Sequence, residues 1–287
     1  MELTAFQSVE TFYKRAEAFL LEREGEHNLI LGLCAYLTRN PPSTEQQPYL
    51  SIVEQQGRVV AAALMTPPNR MTLSYATRAK AIPLIAANAY TRYKALPGVV
   101  GSTPFSEQFA AEWHRLSAQT YSLAMAERIY QLEKVNPVTG VPGSLRKAAE
   151  KDRPILCQWL AEFNEEALGE TDTSRLASLV DRLLRFETQG MFIWEDGQPV
   201  SMAGFSRPTP NGICVMAVYT PPPLRGRGYA SACVAALSQL LLDGGRRYCF
   251  LYTDLANPTS NHIYQTMGYK PICDAAMYNF ADLIIQN

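Results

Sequence analysis

The stretch Val218-Tyr219-Thr220-Pro221-Pro222-Pro223-Leu224-Arg225-Gly226-Arg227-Gly228-Tyr229-Ala230 constrains this chain more than any other. Apolar, strand-like residues lead into it. Three consecutive prolines then force the chain out of a sheet, because proline has no N–H to give to a ladder. A glycine-rich turn follows, and the apolar run from Gly228 to Leu242 reads as a helix that stops at Gly244-Gly245. The first N–H groups of a helix have no intrahelical partner and carry the positive end of its dipole. A strand, a glycine turn and a helix start in that order make an anion site suited to a phosphate or pyrophosphate. Gly226 and Gly228 let a ligand approach the backbone, and Arg225 and Arg227 add charged donors. Taken alone, the turn also fits a solvated surface loop. It is neither a Walker loop, since no Gly-Lys-Ser/Thr follows, nor the dinucleotide fingerprint, since no glycine follows Ala230 at the required place.

A second segment lies downstream, Asp254-Leu255-Ala256-Asn257-Pro258-Thr259-Ser260-Asn261-His262-Ile263-Tyr264. Asn257 before Pro258 marks a turn, and Ser260 is placed to cap a short helix over Ser260–Met267. Asn261 and Tyr264, three apart, share one face of that helix. Gly268 and Tyr269 close it.

Together the two segments resemble the GNAT superfamily of N-acetyltransferases. The family's cofactor loop, Arg/Gln-x-x-Gly-x-Gly/Ala, is matched by Arg225, Gly228 and Ala230. Its later pattern, Asn-x-x-Ser/Ala-x-x-x-Tyr-x-x-x-Gly-Phe/Tyr, is matched by Asn257, Ser260, Tyr264, Gly268 and Tyr269. The resemblance runs from about Gly143 to the C-terminus. It implies acetyl-CoA as cofactor, with the N–H groups of Gly226, Arg227, Gly228, Tyr229 and Ala230 on the pyrophosphate. It further implies main-chain groups of Val218 and Thr220 along the pantetheine and thioester, and Asn257 and Asn261 near the cofactor arm. Tyr264 falls near the sulfur. The expected reaction is direct attack of a primary amine on the thioester. A main-chain N–H such as that of Val218 stabilises the oxyanion, and the Tyr264 hydroxyl protonates the leaving thiolate. No general base stands in the motifs; Glu162, Glu165, Glu166 and Asp254 are candidates by position, each also readable as a solvated charge. A non-catalytic acyl-CoA-binding or sensing protein on the same fold is the alternative, and a scaffold with a decayed site is a third.

The expected fold class is α/β (α+β), two GNAT-like domains, each a mixed, mostly antiparallel sheet flanked by helices. In the C-terminal half a short strand fits 144–149 and helices fit 152–162 and 174–188, the first capped by Asp152. A hairpin turns at Glu195-Asp196-Gly197-Gln198, strands fit 213–219 and 248–253, and two last strands fit 269–273 and 277–280. The N-terminal half gives helices at 12–22, 27–37, 79–93 and 105–116, a hairpin over 50–65, and strands at 71–76 and 121–132. This is the same element order with weaker signals, and it implies a duplication. Its junction, Leu73-Ser74-Tyr75-Ala76-Thr77-Arg78-Ala79, has no glycine, so no CoA site is expected there. The proline- and glycine-rich stretch 136–143 reads as a linker between domains 1–135 and 144–287.

Composition sets the remaining bounds. The 287 residues carry a net charge of -1, so no strong field draws in nucleic acid or anionic lipid. No apolar run is long enough to span a bilayer. Six scattered cysteines without a C-x-x-C pair fit reduced, mostly buried thiols in the cytoplasm, and three histidines without ligand spacing argue against a metal. A small-molecule or peptide amine is the expected partner. The amine's identity, the acyl chain length and the oligomeric state are not fixed by the sequence.

Overall fold

The computed structural model describes residues 1–42 and 47–282; residues 43–46 and 283–287, which the expected domains include, lie outside the described residues. By packing, the chain forms two compact units. One is Met1–Ile129 with Thr253–Asn257 and Pro271–Asn287, the other Tyr130–Tyr252 with Pro258–Lys270.

The first unit contains β1 (Glu2–Ala5), α1 (Val9–Leu21), α2 (Asn28–Arg39), β2 (Tyr49–Gln55), β3 (Arg58–Met65), β4 (Met71–Leu73), α3 (Ala81–Arg92), β5 (Gly98–Ser102), α4 (Phe105–Ser117) and most of β6 (Thr120–Leu132). The second contains the end of β6, then β7 (Ser144–Lys147), α5 (Arg153–Leu168), α6 (Leu176–Arg185), β8 (Gly190–Glu195), β9 (Pro199–Ser206), β10 (Gly212–Tyr219), α7 (Tyr229–Asp243), most of β11 (Tyr248–Asp254), and α8 (Pro258–Thr266). The last strand, β12 (Lys270–Ala281), falls almost entirely in the first unit.

Each unit has a sheet that is antiparallel apart from one parallel pair. The first runs β1-β2-β3-β4-β5-β12, with β4 and β5 parallel. The second runs β7-β8-β9-β10-β11, with β10 and β11 parallel. Both sheets bury both faces. In the second unit Phe192, Trp194, Ile213 and Val215 pack with α7, while Met191, Ile193 and Met202 pack with α5 and α6. Alternation along a strand sends neighbours to opposite layers, which is why these strands read as nearly continuous apolar runs.

Several sequence expectations change. The two last strands, 269–273 and 277–280, are one strand, β12. It pairs with β5 (Ala275↔Ser102 to Asn279↔Gly98), and Ala276, Tyr278 and Phe280 join the first unit's core. The compact units are therefore not the 1–135 and 144–287 division. Nor is 136–143 a free linker, since Trp194 Nε1 donates to the Pro142 carbonyl at 2.8 Å. Strands β1 and β5 carry too few apolar residues to be read from sequence. Asp152 does not cap its helix; its carboxylate accepts from Arg146 at 2.7 and 2.9 Å and from the Ala149 N–H at 2.8 Å. Helix α8 starts at Pro258, so Ser260 lies inside it.

Candidate functional site

The site is built on the end of β10. Met216 pairs with Gly204 and Tyr219 with Met202, so Ala217 and Val218 together face Ala203 alone. This is a β-bulge, and Ala217 takes its left-handed turn with φ +49°. A one-residue slip exchanges the faces of every later side chain. Val215 therefore packs toward α7, whereas Ala217 and Tyr219 join the α5 layer. A bulge also leaves main-chain groups out of the ladder. Among the described residues no side chain accepts from the Ala217 or Val218 N–H, and the parallel ladder between β10 and β11 pairs only Gly212–Cys214 with Tyr248–Phe250.

The chain then passes Pro221–Leu224 and enters α7 through two left-handed glycines, Gly226 (φ +77°) and Gly228 (φ +81°). A side chain at Gly226 would meet open space; one at Gly228 would come within 2.9 Å of Val141 Cγ2. Segment 136–143 thus buttresses the loop. Gly228 caps α7, its carbonyl receiving the Ala232 N–H at 2.9 Å, which leaves the first-turn N–H groups of Tyr229, Ala230 and Ser231 directed outward from the helix start. Tyr229 fixes that start to the β8–β9 turn, its hydroxyl donating to Asp196 at 2.7 Å. Arg227 is exposed. Arg225 is engaged: its Nε donates to the Thr220 carbonyl at 2.8 Å and its Nη2 to Glu166 at 2.6 Å. The Thr220 hydroxyl donates to Ser201, and Ser201 to the Tyr219 carbonyl, at 2.8 and 3.0 Å.

Below the loop, the Tyr219 hydroxyl donates to Glu162 of α5 at 2.8 Å. Burial, followed by that bond, pushes the Tyr219 pKa up to about 12, so the phenol keeps its proton. Trp159 packs against the Tyr219 ring with centroids 6.3 Å apart. Of the four carboxylates named as possible bases, Glu166 is taken by Arg225, and Glu165 is exposed. Asp254 accepts the Ala256 N–H at 2.8 Å in the turn after β11. Glu162 alone among them touches a buried side chain beside the bulge.

Tyr264 of α8 is half-buried, its ring edge-on to Tyr269 at 6.0 Å. Burial pushes its pKa up to about 12, so it holds a proton at neutral pH, and among the described residues its hydroxyl makes no hydrogen bond. The Asn261 side chain accepts from the buried Tyr130 hydroxyl at 2.9 Å. Asn257, whose N–H reaches the Asp254 carbonyl at 3.0 Å, is grouped with the first unit, as is Asp254, whereas the other sequence-predicted residues lie in the second. Sequence reasoning missed Val141, Ser201, Asp196, Gln158 and the side chain of Tyr219. Only Tyr219 carried a signal, its place directly after Val218.

Residues 153–269 match the model of the acetyltransferase (GNAT) family. A search of curated proteins finds no match. Among solved structures, a Drosophila protein superposes with a TM-score of 0.66 at 11% identity, covering 97% of this chain and 98% of that one. A GCN5-related N-acetyltransferase from Sphaerobacter thermophilus does so with a TM-score of 0.63 at 15% identity, covering 98% of each chain. A tandem GNAT protein from the clavulanic acid biosynthesis pathway gives 0.56 at 13% identity, again over 98% of each. The bulged strand, the glycine turn and the helix start lie inside the matched segment, and the likeness of fold extends over nearly the whole chain: residues 153–269 are similar to the acetyltransferase (GNAT) family, in a fold of two GNAT-like units.

Proposed function

We propose that this protein is an acetyl-CoA-dependent N-acetyltransferase that passes the acetyl group to a primary amine by direct attack. The observation that carries this reading is the sequence of bulge, paired left-handed glycines and helix start between Ala217 and Ala230. The residues fit the cofactor. The N–H groups of Gly226 to Ala230 would hold the pyrophosphate, with Arg227 exposed beside them. Main-chain groups of Val218 and Thr220 would hold the pantetheine, and Asn257 and Asn261 its arm. When bound, acetyl-CoA supplies an activated acetyl group.

The Val218 N–H, at the bulge, receives the negative charge that develops on the acetyl oxygen. Tyr264 donates its proton to the leaving sulfur, a role that needs a phenol still protonated at neutral pH. The acceptor is a small-molecule or peptide amine, and the reaction takes place in the cytoplasm without nucleic acid or membrane. Among the described residues no helix is long and apolar enough to cross a membrane. Release of free thiol from acetyl-CoA, dependent on an added amine, tests the reading. Binding of acetyl-CoA with no thiol release across a broad amine panel would favour a sensor instead.

A further inference from the structure

The fixed carboxylates of the second unit fall into two groups, those that hold an arginine and those, such as Glu162, Asp196, Asp172 and Asp243, that accept from neutral donors; of the second group, Glu162 is the one bonded to the residue at the end of the bulge. Asp152, Glu195, Glu150, Asp181 and Glu166 each hold an arginine. Glu162 is held by neutral donors: Tyr219 Oη on Oε2 at 2.8 Å and Gln158 Nε2 on Oε1 at 2.9 Å. Among the described residues it enters no ion pair. A carboxylate offers about four lone-pair positions, so two stay open. Its position comes from the bulge, because only the face exchange after Met216 turns Tyr219 toward α5. The result is an oriented, half-buried anion without a counter-ion, one hydrogen bond from the residue that follows Val218.

Resting on the acetyl-transfer reading, we propose that Glu162 is the group that receives the acceptor's ammonium and takes its proton, with Tyr219 and Gln158 as positioning residues. The ammonium enters with its charge, for which Glu162 is the missing partner. One N–H proton moves to a Glu162 oxygen, leaving a neutral amine and a carboxylic acid. The nitrogen lone pair forms the C–N bond to the acetyl carbon, and the C–S bond breaks with its electron pair on sulfur. The sulfur takes a proton from Tyr264, and the tetrahedral nitrogen's second proton restores that phenol. Glu162 then gives its proton to solvent. Each turnover yields the amide, the free thiol and one proton. The charged and titratable groups around Glu162 are Tyr219 on β10, Arg225 at the loop, and Glu165 and Glu166 on α5 itself. Asp181 of α6 is engaged by Arg153 at the start of α5.

The test compares amines that must lose a proton with amines that need not. In wild type and Glu162→Gln, kcat/KM is measured against pH with the alkyl primary amines of a panel and with aniline, which is unprotonated at neutral pH. Glutamine keeps the shape and can still accept from Tyr219. The expected loss is on the order of 10²–10⁴-fold for alkylamines and below about tenfold for aniline, with the acetyl-CoA KM unmoved. The variant's rate should climb with pH as the free amine itself deprotonates. Tyr219→Phe should shift the acidic limb of the profile and leave its shape, and Glu165→Gln should leave the profile as it is. An equal loss for both amine types, or none, overturns the role of Glu162. A wild type that transfers to no amine in the panel overturns the transfer reading instead.

Discussion

The two units carry the same strand irregularity and use it in opposite ways. In the first, Leu73 pairs with Ala63 and the Ser74 N–H reaches Ala62, after which the Thr77 N–H reaches Val60. Tyr75 and Ala76 thus face Ala61, just as Ala217 and Val218 face Ala203. There, however, the Tyr75 N–H donates to Nε2 of His27 at 3.1 Å, and His27 is 2% exposed. Its Nδ1 lies 2.9 Å from the Leu20 carbonyl and so carries the proton. Arg23 lies over the Tyr75 ring at 4.0 Å, and the Glu26 carboxylate accepts from Ser102 at 2.5 Å. The chain's own side chains fill the position at which the second unit offers bare backbone, and no glycine turn follows. The bulge is a property of the fold. Whether it becomes a site depends on what fills it and on what leads into the next helix.

The largest expected effect comes from closing the open junction. Gly228→Glu puts a side chain where φ is +81° and Val141 is 2.9 Å away, and aims a carboxylate at the pyrophosphate. Calorimetry should find one acetyl-CoA site per wild-type chain and, in the variant, affinity reduced by roughly 100-fold or more, since charge and dipole both turn against the ligand. Two equal sites in wild type would end the contrast between the units.

Next in size is Tyr264→Phe. The ring keeps its edge-on packing with Tyr269, so the protein should fold. Removal of the acid should lower kcat on the order of 10²–10⁴-fold, with little change in the acetyl-CoA KM. Turnover equal to wild type, measured where chemistry limits the rate, would take Tyr264 out of the mechanism.

The filled junction predicts a stability effect of its own. His27→Ala removes a buried ring beside Phe19 and leaves the Tyr75 N–H without its acceptor. A loss of about 2–4 kcal/mol is expected in urea unfolding, with acetyl-CoA affinity unchanged. His27 also makes wild-type stability pH-dependent. Burial, the largest cause, holds its pKa below the ordinary 6.5. An unfolded chain therefore binds this proton more readily than the folded one as pH falls. The stabilisation is complete above pH 6.5 and is lost below it, as acid drives the ring toward its charged form. A variant with the same acid sensitivity as wild type would show that His27 is not what fills the bulge.

The smallest effect should come from Gly226→Ala. Its φ is +77° and a Cβ there meets nothing within 4 Å, so only the left-handed backbone resists. A cost of about 1–2 kcal/mol is expected, with binding weakened far less than by Gly228→Glu. If the two variants weakened binding alike, the buttress from Val141 would be irrelevant to the loop.

The sequence by itself determined the loop and most of the elements around it. Prolines and glycines act through their own dihedral limits, so Pro221–Gly228 was legible without neighbours, as were the hairpin at Asp196-Gly197 and the amphipathic helices. Only the tertiary structure decided which strand joins which sheet. The alternation of Ala276, Tyr278 and Phe280 states that one face is buried, but not that it is buried against Trp113 and Phe109 of the first unit. The bulge was equally silent, because a one-residue slip depends on the partner strand and leaves the composition unchanged. With the bulge hidden, the turn of Tyr219 toward Glu162 and the filling of the first unit's junction by His27, 48 positions away in sequence from Tyr75, were hidden too. Local conformational preference is written residue by residue, whereas register and long-range partnership are set by packing among segments that no short stretch of sequence contains.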